Sequence, residues 1–266
     1  MTRLERMWAQ LKARRRKAFI AFVTAGDPSR AATVPALHAL VRGGADVLEL
    51  GVPFSDPEAE GPSIQASSER ALKAGTRLAD VIDMVAQFRA TDRDTPVLLM
   101  GYLNPIERMG VDRYAAALSD VGADGTIVVN LPPEEAQPLA AALRARGLSL
   151  ILLVAPTTTA ARLPTIANAA SGFIYYVSLK GVTGADHLDP SSIAARVAAI
   201  RAVSDLPIAV GFGIKDGASA ARIASCCDGI VVGSALVDTM QRLAADADSI
   251  PAALERQAAQ FRSALG

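Results

Sequence analysis

The chain has 266 residues, 51% of them hydrophobic, which is enough to bury a substantial core in one large α/β domain. Lys plus Arg and Asp plus Glu balance at 27 each, excluding the global field that would favour nucleic acid or an anionic membrane. No stretch approaches the roughly 18 uninterrupted apolar residues of a membrane span, the charged start "MTRLERMWAQLKARRRK" has no signal-peptide core, and adjacent Cys226 and Cys227 suit neither a disulfide framework nor a zinc site, so a cytoplasmic protein is expected.

In chain order, a helix around Leu4 to Leu11 comes first and is expected to plug the bottom of a barrel, with Arg14 to Lys17 as its solvated basic end. A first β-rich run, "AFIAFVTAG" from Ala18, leads into the helical pattern "RAATVPALHALVRGG". "ADVLELG" from Ala45 follows, then a Pro- and Gly-studded loop, the helical "TRLADVIDMVAQFRA" and the third run, "PVLLMGY" from Pro96. "GTIVVNL" from Gly125 precedes the helical "PEEAQPLAAALRARG", and "LILLVAP" from Leu150 and "GFIYYVS" from Gly172 continue the series. After the helical "PSSIAARVAAIRAVSD" come "PIAVGFG" from Pro207 and "GIVVGSAL" from Gly229. These runs are near-continuously apolar, as parallel strands covered on both faces should be. Eight of them alternating with helices predict a single (β/α)8 TIM-barrel domain over residues 1–266, with an extra N-terminal helix. An open doubly wound sheet is the other arrangement that the alternation allows.

A barrel carries its chemistry at the C-terminal ends of its strands and in the loops that follow. That directs attention to Glu49 at the end of the second strand, Tyr102 after the third, Asn130 ending the fourth and Tyr175 within the sixth. Glu49 interrupts an apolar run, where a charge is costly to bury, and Asp56, Glu58 and Glu60 follow at once on the loop "GVPFSDPEAEGP". Tyr102 either anchors its loop or touches the substrate. Glycine-rich turns close the last three strands: "GVTGA" with Gly184, "GFGI" with Gly211, Phe212 and Gly213, and "VGSAL" with Gly233 and Ser234. Their backbone N–H groups can approach an anion, and a short helix opening at Ser234 would favour phosphate. His38 and His187 have no spaced partner for a metal or a nucleophilic triad and read as surface residues.

The set "FVTAGDP", "ELGVPFSDP", "GPSIQ", "MGYLNPI", "YYVSLKGVTGA", "VGFGI" and "VGSAL", in this order along the whole chain, resembles the tryptophan synthase alpha subunits. The resemblance implies cleavage of indole-3-glycerol phosphate to indole and glyceraldehyde 3-phosphate. It also implies a pyridoxal phosphate-bearing beta subunit as partner in an alpha2beta2 complex, and an alpha chain that carries no cofactor of its own. By the same resemblance Glu49 is the general acid/base and Glu60 the acid facing the ring nitrogen. Phe22 and Tyr175 line the indole pocket, Tyr175 beside the reacting acids, and Thr183 reaches toward position 60. The rim loops "PFSDP", "YLNPI" and "GVTGADH" are expected to be the mobile parts that meet the beta subunit.

Four positions depart from the family pattern. Glu60 stands where the family has Asp, one methylene longer and about 1.5 Å further in reach. Glu58 and Ser63 replace usual apolar residues, and Asn130 replaces a usual Asp. Two functional readings follow: a lyase using Glu49 and Glu60, or a diverged homologue of weak or shifted activity that acts mainly on its beta partner.

Overall fold

A computed structural model describes residues 1–177, 190–211 and 213–266. The segment "SLKGVTGADHLD" and Phe212 lie outside the described residues, and with them the expectations placed on Thr183, Gly184, His187 and Phe212. Helix α1 (Arg3–Ala13) leads to β1 (Ala18–Thr24), α2 (Arg30–Arg42) and β2 (Val47–Gly51). Two helices, α3 (Pro62–Lys73) and α4 (Leu78–Arg89), separate β2 from β3 (Val97–Gly101). Two more, α5 (Leu103–Met109) and α6 (Val111–Asp120), precede β4 (Gly125–Val128), and α7 (Gln137–Arg144) precedes β5 (Ser149–Val154). The second half runs α8 (Leu163–Ala169), β6 (Ile174–Val177), α9 (Pro190–Arg201), β7 (Ile208–Gly211), α10 (Gly217–Ala224), β8 (Gly229–Val232), α11 (Ser234–Arg242) and α12 (Ile250–Ala264). Each strand pairs in parallel with its sequence neighbours, and β8 pairs with β1, so the barrel is closed and the open-sheet alternative is excluded.

Side-chain alternation divides every apolar run between two cores. In β1, Phe19, Ala21 and Val23 pack outward under the helices, while Ala18, Ile20 and Phe22 fill the barrel interior. In β2, Leu48 and Leu50 face outward and Val47 faces inward, which points Glu49 inward as well. Helix α1 closes the bottom. Its start is fixed by a capping box between Thr2 and Glu5, and it buries Leu4, Trp8 and Leu11, with Trp8 edge-on to Phe173 at 5.8 Å.

The bottom of the barrel shows a device that repeats at alternate strands. Asp46 donates its backbone N–H to the Phe19 carbonyl and accepts the Phe19 N–H on its carboxylate. Asp124 does the same to Val97, Ser171 to Leu150 and Asp228 to Ile208, with side-chain bonds of 2.9 Å each. Each such residue sits just before an even-numbered strand and satisfies an N–H at the start of the preceding odd-numbered one. Those N–H groups would otherwise end the ladder unpaired in a dry place. Arginines neutralise the three acids: Arg262 on Asp46, Arg3 and Arg89 on Asp124, Arg201 on Asp228.

Three sequence expectations need correcting. The basic run is solvated at Arg14 and Arg15, but Lys17 turns back to donate to the Cys227 carbonyl at 2.6 Å, because the chain must enter β1 beside β8. His38 is half-buried rather than at the surface, stacked on Phe88 at 4.6 Å and bonded to Thr91. "YLNPI" is helical from Leu103, since Pro105 falls in the first turn of α5, where its missing N–H costs nothing.

Candidate active site

Glu49 is the third of five residues in β2, one turn of the pleat deeper than a strand-end position. It pairs in register with Phe22 on one side and Leu98 on the other, both of which face the interior. The side chain is 0% exposed, and among the described residues neither carboxyl oxygen has a hydrogen-bond partner. An anion so placed has lost its water and gained nothing in return. Burial therefore pushes the Glu49 carboxyl up to about 8, with the Glu60 charge adding to the rise. It is a neutral acid at neutral pH.

Glu60 reaches the same space from the loop after β2. It is half-buried, and burial pushes its carboxyl up to about 7. Several bonds hold the loop in shape. The Glu60 N–H donates to the Pro57 carbonyl at 3.1 Å, and the Ala59 N–H donates to the Tyr102 hydroxyl at 3.0 Å. The Gln65 amide donates to the Glu60 carbonyl at 2.8 Å and the Pro57 carbonyl at 3.3 Å. Phe54 stacks on Tyr102 with ring centroids 4.7 Å apart. Of the two roles open to Tyr102, anchoring its neighbour loop is the one with a bond behind it, although the ring also lines the pocket with Phe22, Gly51, Met100, Glu60 and Ile64. Asp56 and Glu58 are exposed.

Tyr175 points inward from β6 and is buried. Burial, followed by the negative fields of Glu49 and then Glu60, holds its phenol well above the ordinary value, so it stays a neutral donor. Gly211 makes room for it, because a Cβ there would lie 2.3 Å from the Tyr175 hydroxyl. Gly51 does the same for Phe22, at 2.6 Å. These two glycines shape aromatic walls. The role of Gly51 was not legible in the sequence, because it depends on a neighbour 29 positions away.

Beside Phe22 and Ile64 at the mouth, β8 ends at Val232 and α11 begins at Ser234 with Gly233 as its cap residue. No side chain caps that start, while the Leu236 and Val237 N–H groups return to the Gly233 carbonyl. The first N–H groups of α11 thus point toward the mouth with the positive end of the helix dipole. Gly213, beyond β7, adopts a positive φ of 72°. Asn130 lies two residues past the end of β4, not within it. Its carbonyl oxygen accepts the Leu103 N–H at 2.7 Å and its amide donates to Asn104 at 3.2 Å, so it caps α5 from the turn after the neighbouring strand. Sequence reasoning missed this use of Asn130, whose partners stand 26 and 27 residues earlier, and it also missed the local bonds of Gln65 to the loop before its helix.

The arrangement is two carboxyls titrating near neutrality, a neutral phenol, apolar walls and an uncapped helix start. It suits proton transfer on a flat ring carrying an anionic tail. Among the described residues, no group of three or more His, Cys, Asp or Glu is placed to hold a metal ion, and no helix is long and apolar enough to cross a membrane.

Comparison with known proteins gives a consistent result. The family described as tryptophan synthase alpha chain matches residues 8–265. The chain is 52% identical to the tryptophan synthase alpha chain of Alkalilimnicola ehrlichii, over 100% of this chain and 97% of that one. It is 55% identical to that of Burkholderia pseudomallei, over 92% and 90%. Among solved structures it is similar to tryptophan synthase subunit alpha from Legionella pneumophila, with a TM-score of 0.93, 44% identity, and coverage of 100% and 98%.

Proposed function

The chain belongs to the tryptophan synthase alpha chain family, and from that premise we propose which of its residues perform the family's reaction. That reaction is the retro-aldol cleavage of indole-3-glycerol phosphate to indole and glyceraldehyde 3-phosphate in tryptophan biosynthesis. The chain works as the alpha subunit beside the tryptophan synthase beta subunit, and we assign that work to the cytoplasm.

The observation that carries the residue assignment is the fully buried Glu49 carboxyl, unpartnered among the described residues, with the Glu60 charge acting on it. The indole ring cannot leave as a bare carbanion. Glu49 in its acid form gives a proton to ring carbon C3, and positive charge develops on the ring N–H. Glu60, as carboxylate, faces that charge. Glu49, now the anion, takes the proton of the side-chain hydroxyl. The oxygen's electron pair forms the aldehyde, the C–C bond breaks, and its electrons return to the ring. Indole leaves neutral and Glu49 is again an acid. Tyr175, kept neutral by burial, donates within the same pocket, and Phe22, Ile64 and Met100 sandwich the ring and exclude water. Substrate phosphate sits at the start of α11, held by the backbone of Gly213, Gly233 and Ser234, with Gly211 on the substrate side; the substrate contacts expected of Thr183, Gly184 and Phe212 fall outside the described residues.

Two expected results test this reading. In a crystal grown with phosphate or sulfate, the anion lies at the start of α11 beside Gly213 and Ser234; an anion beside Glu49 with this sector empty counts against it. The second concerns the longer acid. A catalytic group displaced by about 1 Å can lose on the order of a hundredfold in rate, so Glu60→Asp is expected to raise turnover by up to that factor while changing binding less. Single-turnover cleavage of indole-3-glycerol phosphate by both forms decides it. An unchanged or lower rate in Glu60→Asp means that the pocket is tuned to glutamate.

A further inference from the structure

Helix α3 is seated in an unusual way. A helix on a barrel exterior is ordinarily fixed by a stripe of large apolar side chains. The residues that α3 buries fully are Ser67, Ser68 and Ala71, half-buried Ile64 in its first turn packs on the barrel interior, and Leu72 is exposed. Beyond that first turn, apolar burial fixes this helix weakly. Two polar latches to β1 and the loop after it take its place. The Ser67 hydroxyl meets the Thr24 hydroxyl at 2.6 Å. Arg70 places its guanidinium fork on Asp27, with bonds of 2.7 and 2.8 Å, and Asp27 is 1% exposed. A two-point guanidinium–carboxylate contact fixes both distance and plane. On its other side α3 packs against α11, whose Asp238 adds to the field on Arg70.

Only Gly61 separates Glu60 from the first residue of α3, Pro62. The Gln65 amide, one turn into the helix, also grips the Glu60 and Pro57 carbonyls, so the loop moves with the helix. No Gly or Pro interrupts α3 beyond its first position, and about 12 Å of regular helix joins residue 62 to residue 70. We propose that Arg70, held by buried Asp27, is a positioning residue for the cleavage: by seating α3 it sets how far the Glu60 carboxyl reaches into the barrel mouth. On α3, Arg70 also feels the field of Asp238 on α11, the helix whose start faces the phosphate, so it stands where the two halves of the site meet. The inference rests on the reading of Glu60 as the second acid.

The test uses the full chain carrying Arg70→Met, Glu60→Gln and both together, with kcat, KM and the pH profile of indole-3-glycerol phosphate cleavage as readouts. Arg70→Met is expected to lower kcat by about ten- to a hundredfold with KM little changed. The acid limb of its pH profile moves to lower pH, because a less confined Glu60 is better solvated. In the Glu60→Gln background the same change costs no more than about twofold, since the group it positions is already gone. Equal losses in both backgrounds, or an unmoved acid limb, would overturn the proposal and leave Arg70 a structural residue. If Glu60→Gln alone leaves kcat intact, the second-acid reading itself fails, and the Arg70 proposal with it. Ser67→Ala, which removes the lesser latch without exposing a buried carboxylate, is expected to shift kcat and the acid limb in the same direction by a smaller factor. No shift from a folded Ser67→Ala protein together with unfolded Arg70→Met would also count against the proposal.

Discussion

Glu49→Gln is expected to lower turnover by at least the roughly 10² to 10⁴ typical of a general acid–base group, with substrate binding nearly unchanged. Glutamine keeps the shape of the buried acid but cannot give or take the proton that both halves of the reaction require. Retention of most activity would remove Glu49 from the mechanism. The wild-type pH profile should be a narrow bell. Glu60 must be ionised and its carboxyl is pushed up to about 7, whereas Glu49 must start protonated and is pushed up to about 8. The limbs belong to the pair rather than to either residue, because each charge acts on the other. A stability effect runs the opposite way from the activity loss. The folded Glu49 binds its proton more tightly than the unfolded chain does, whose carboxyl has the ordinary value of 4.5. The resulting stabilisation is fully present below about 4.5 and is lost as pH rises toward 8, at about 1.4 kcal/mol per pH unit. Glu49→Gln should therefore match the wild type in thermal stability near pH 4.5 and exceed it near pH 9. Parallel melting curves across that range would show the carboxyl to be ionised and solvated in the folded state.

Asp124→Ala is expected to have the largest effect on folding among single changes away from the mouth. The carboxylate accepts the Val97 N–H and pairs with Arg3 and with Arg89, whose side chain is 9% exposed. Alanine leaves the Val97 N–H without its acceptor and takes from the buried Arg89 guanidinium its close carboxylate partner, leaving it bonds to the Gly122, Asp92 and Thr95 carbonyls and a longer pair with Asp92 at 3.7 Å. Breaking such a pair from one side costs about 3–5 kcal/mol, which for a chain of this size lowers the melting temperature by on the order of 10 °C. Because Asp124 is at the bottom of the barrel, kcat and KM of the folded fraction should stay near wild-type values. A melting temperature within about 2 °C of wild type would mean that the ring of acids at the bottom does not hold the strand starts.

Much of this molecule was legible in its sequence. Eight apolar runs separated by helical patterns leave few topologies, all of parallel strands covered on both faces and joined by right-handed crossovers, and the pairing of β8 with β1 decides for the closed barrel over the open sheet. The glycine-rich ends of β7 and β8 and the helix opening at Ser234 are local features of backbone chemistry, so they could be read directly. The odd acid in "ADVLELG" also marks itself, since an unexplained charge in an apolar run is a local anomaly. A weaker signal went unread: an acid stands immediately before β2, β4 and β8, as Asp46, Asp124 and Asp228, and the recurrence pointed to a shared task at the barrel bottom.

Only the tertiary structure decided the rest, because the deciding contacts join residues far apart in the chain. Whether Glu49 faces the core or the helices depends on strand parity and on barrel closure, and its raised pKa depends on what surrounds it. Gly51 and Gly211 matter through the rings of Phe22 and Tyr175, and Tyr102 through a backbone N–H 43 residues earlier. Asn130 caps a helix 27 residues before it, and Arg70 finds Asp27 across the turn of another strand. Periodicity and punctuation report local energies, and so specify elements and their order. The placement of a catalytic carboxyl to within an ångström is set by packing between elements, which no single stretch of sequence contains.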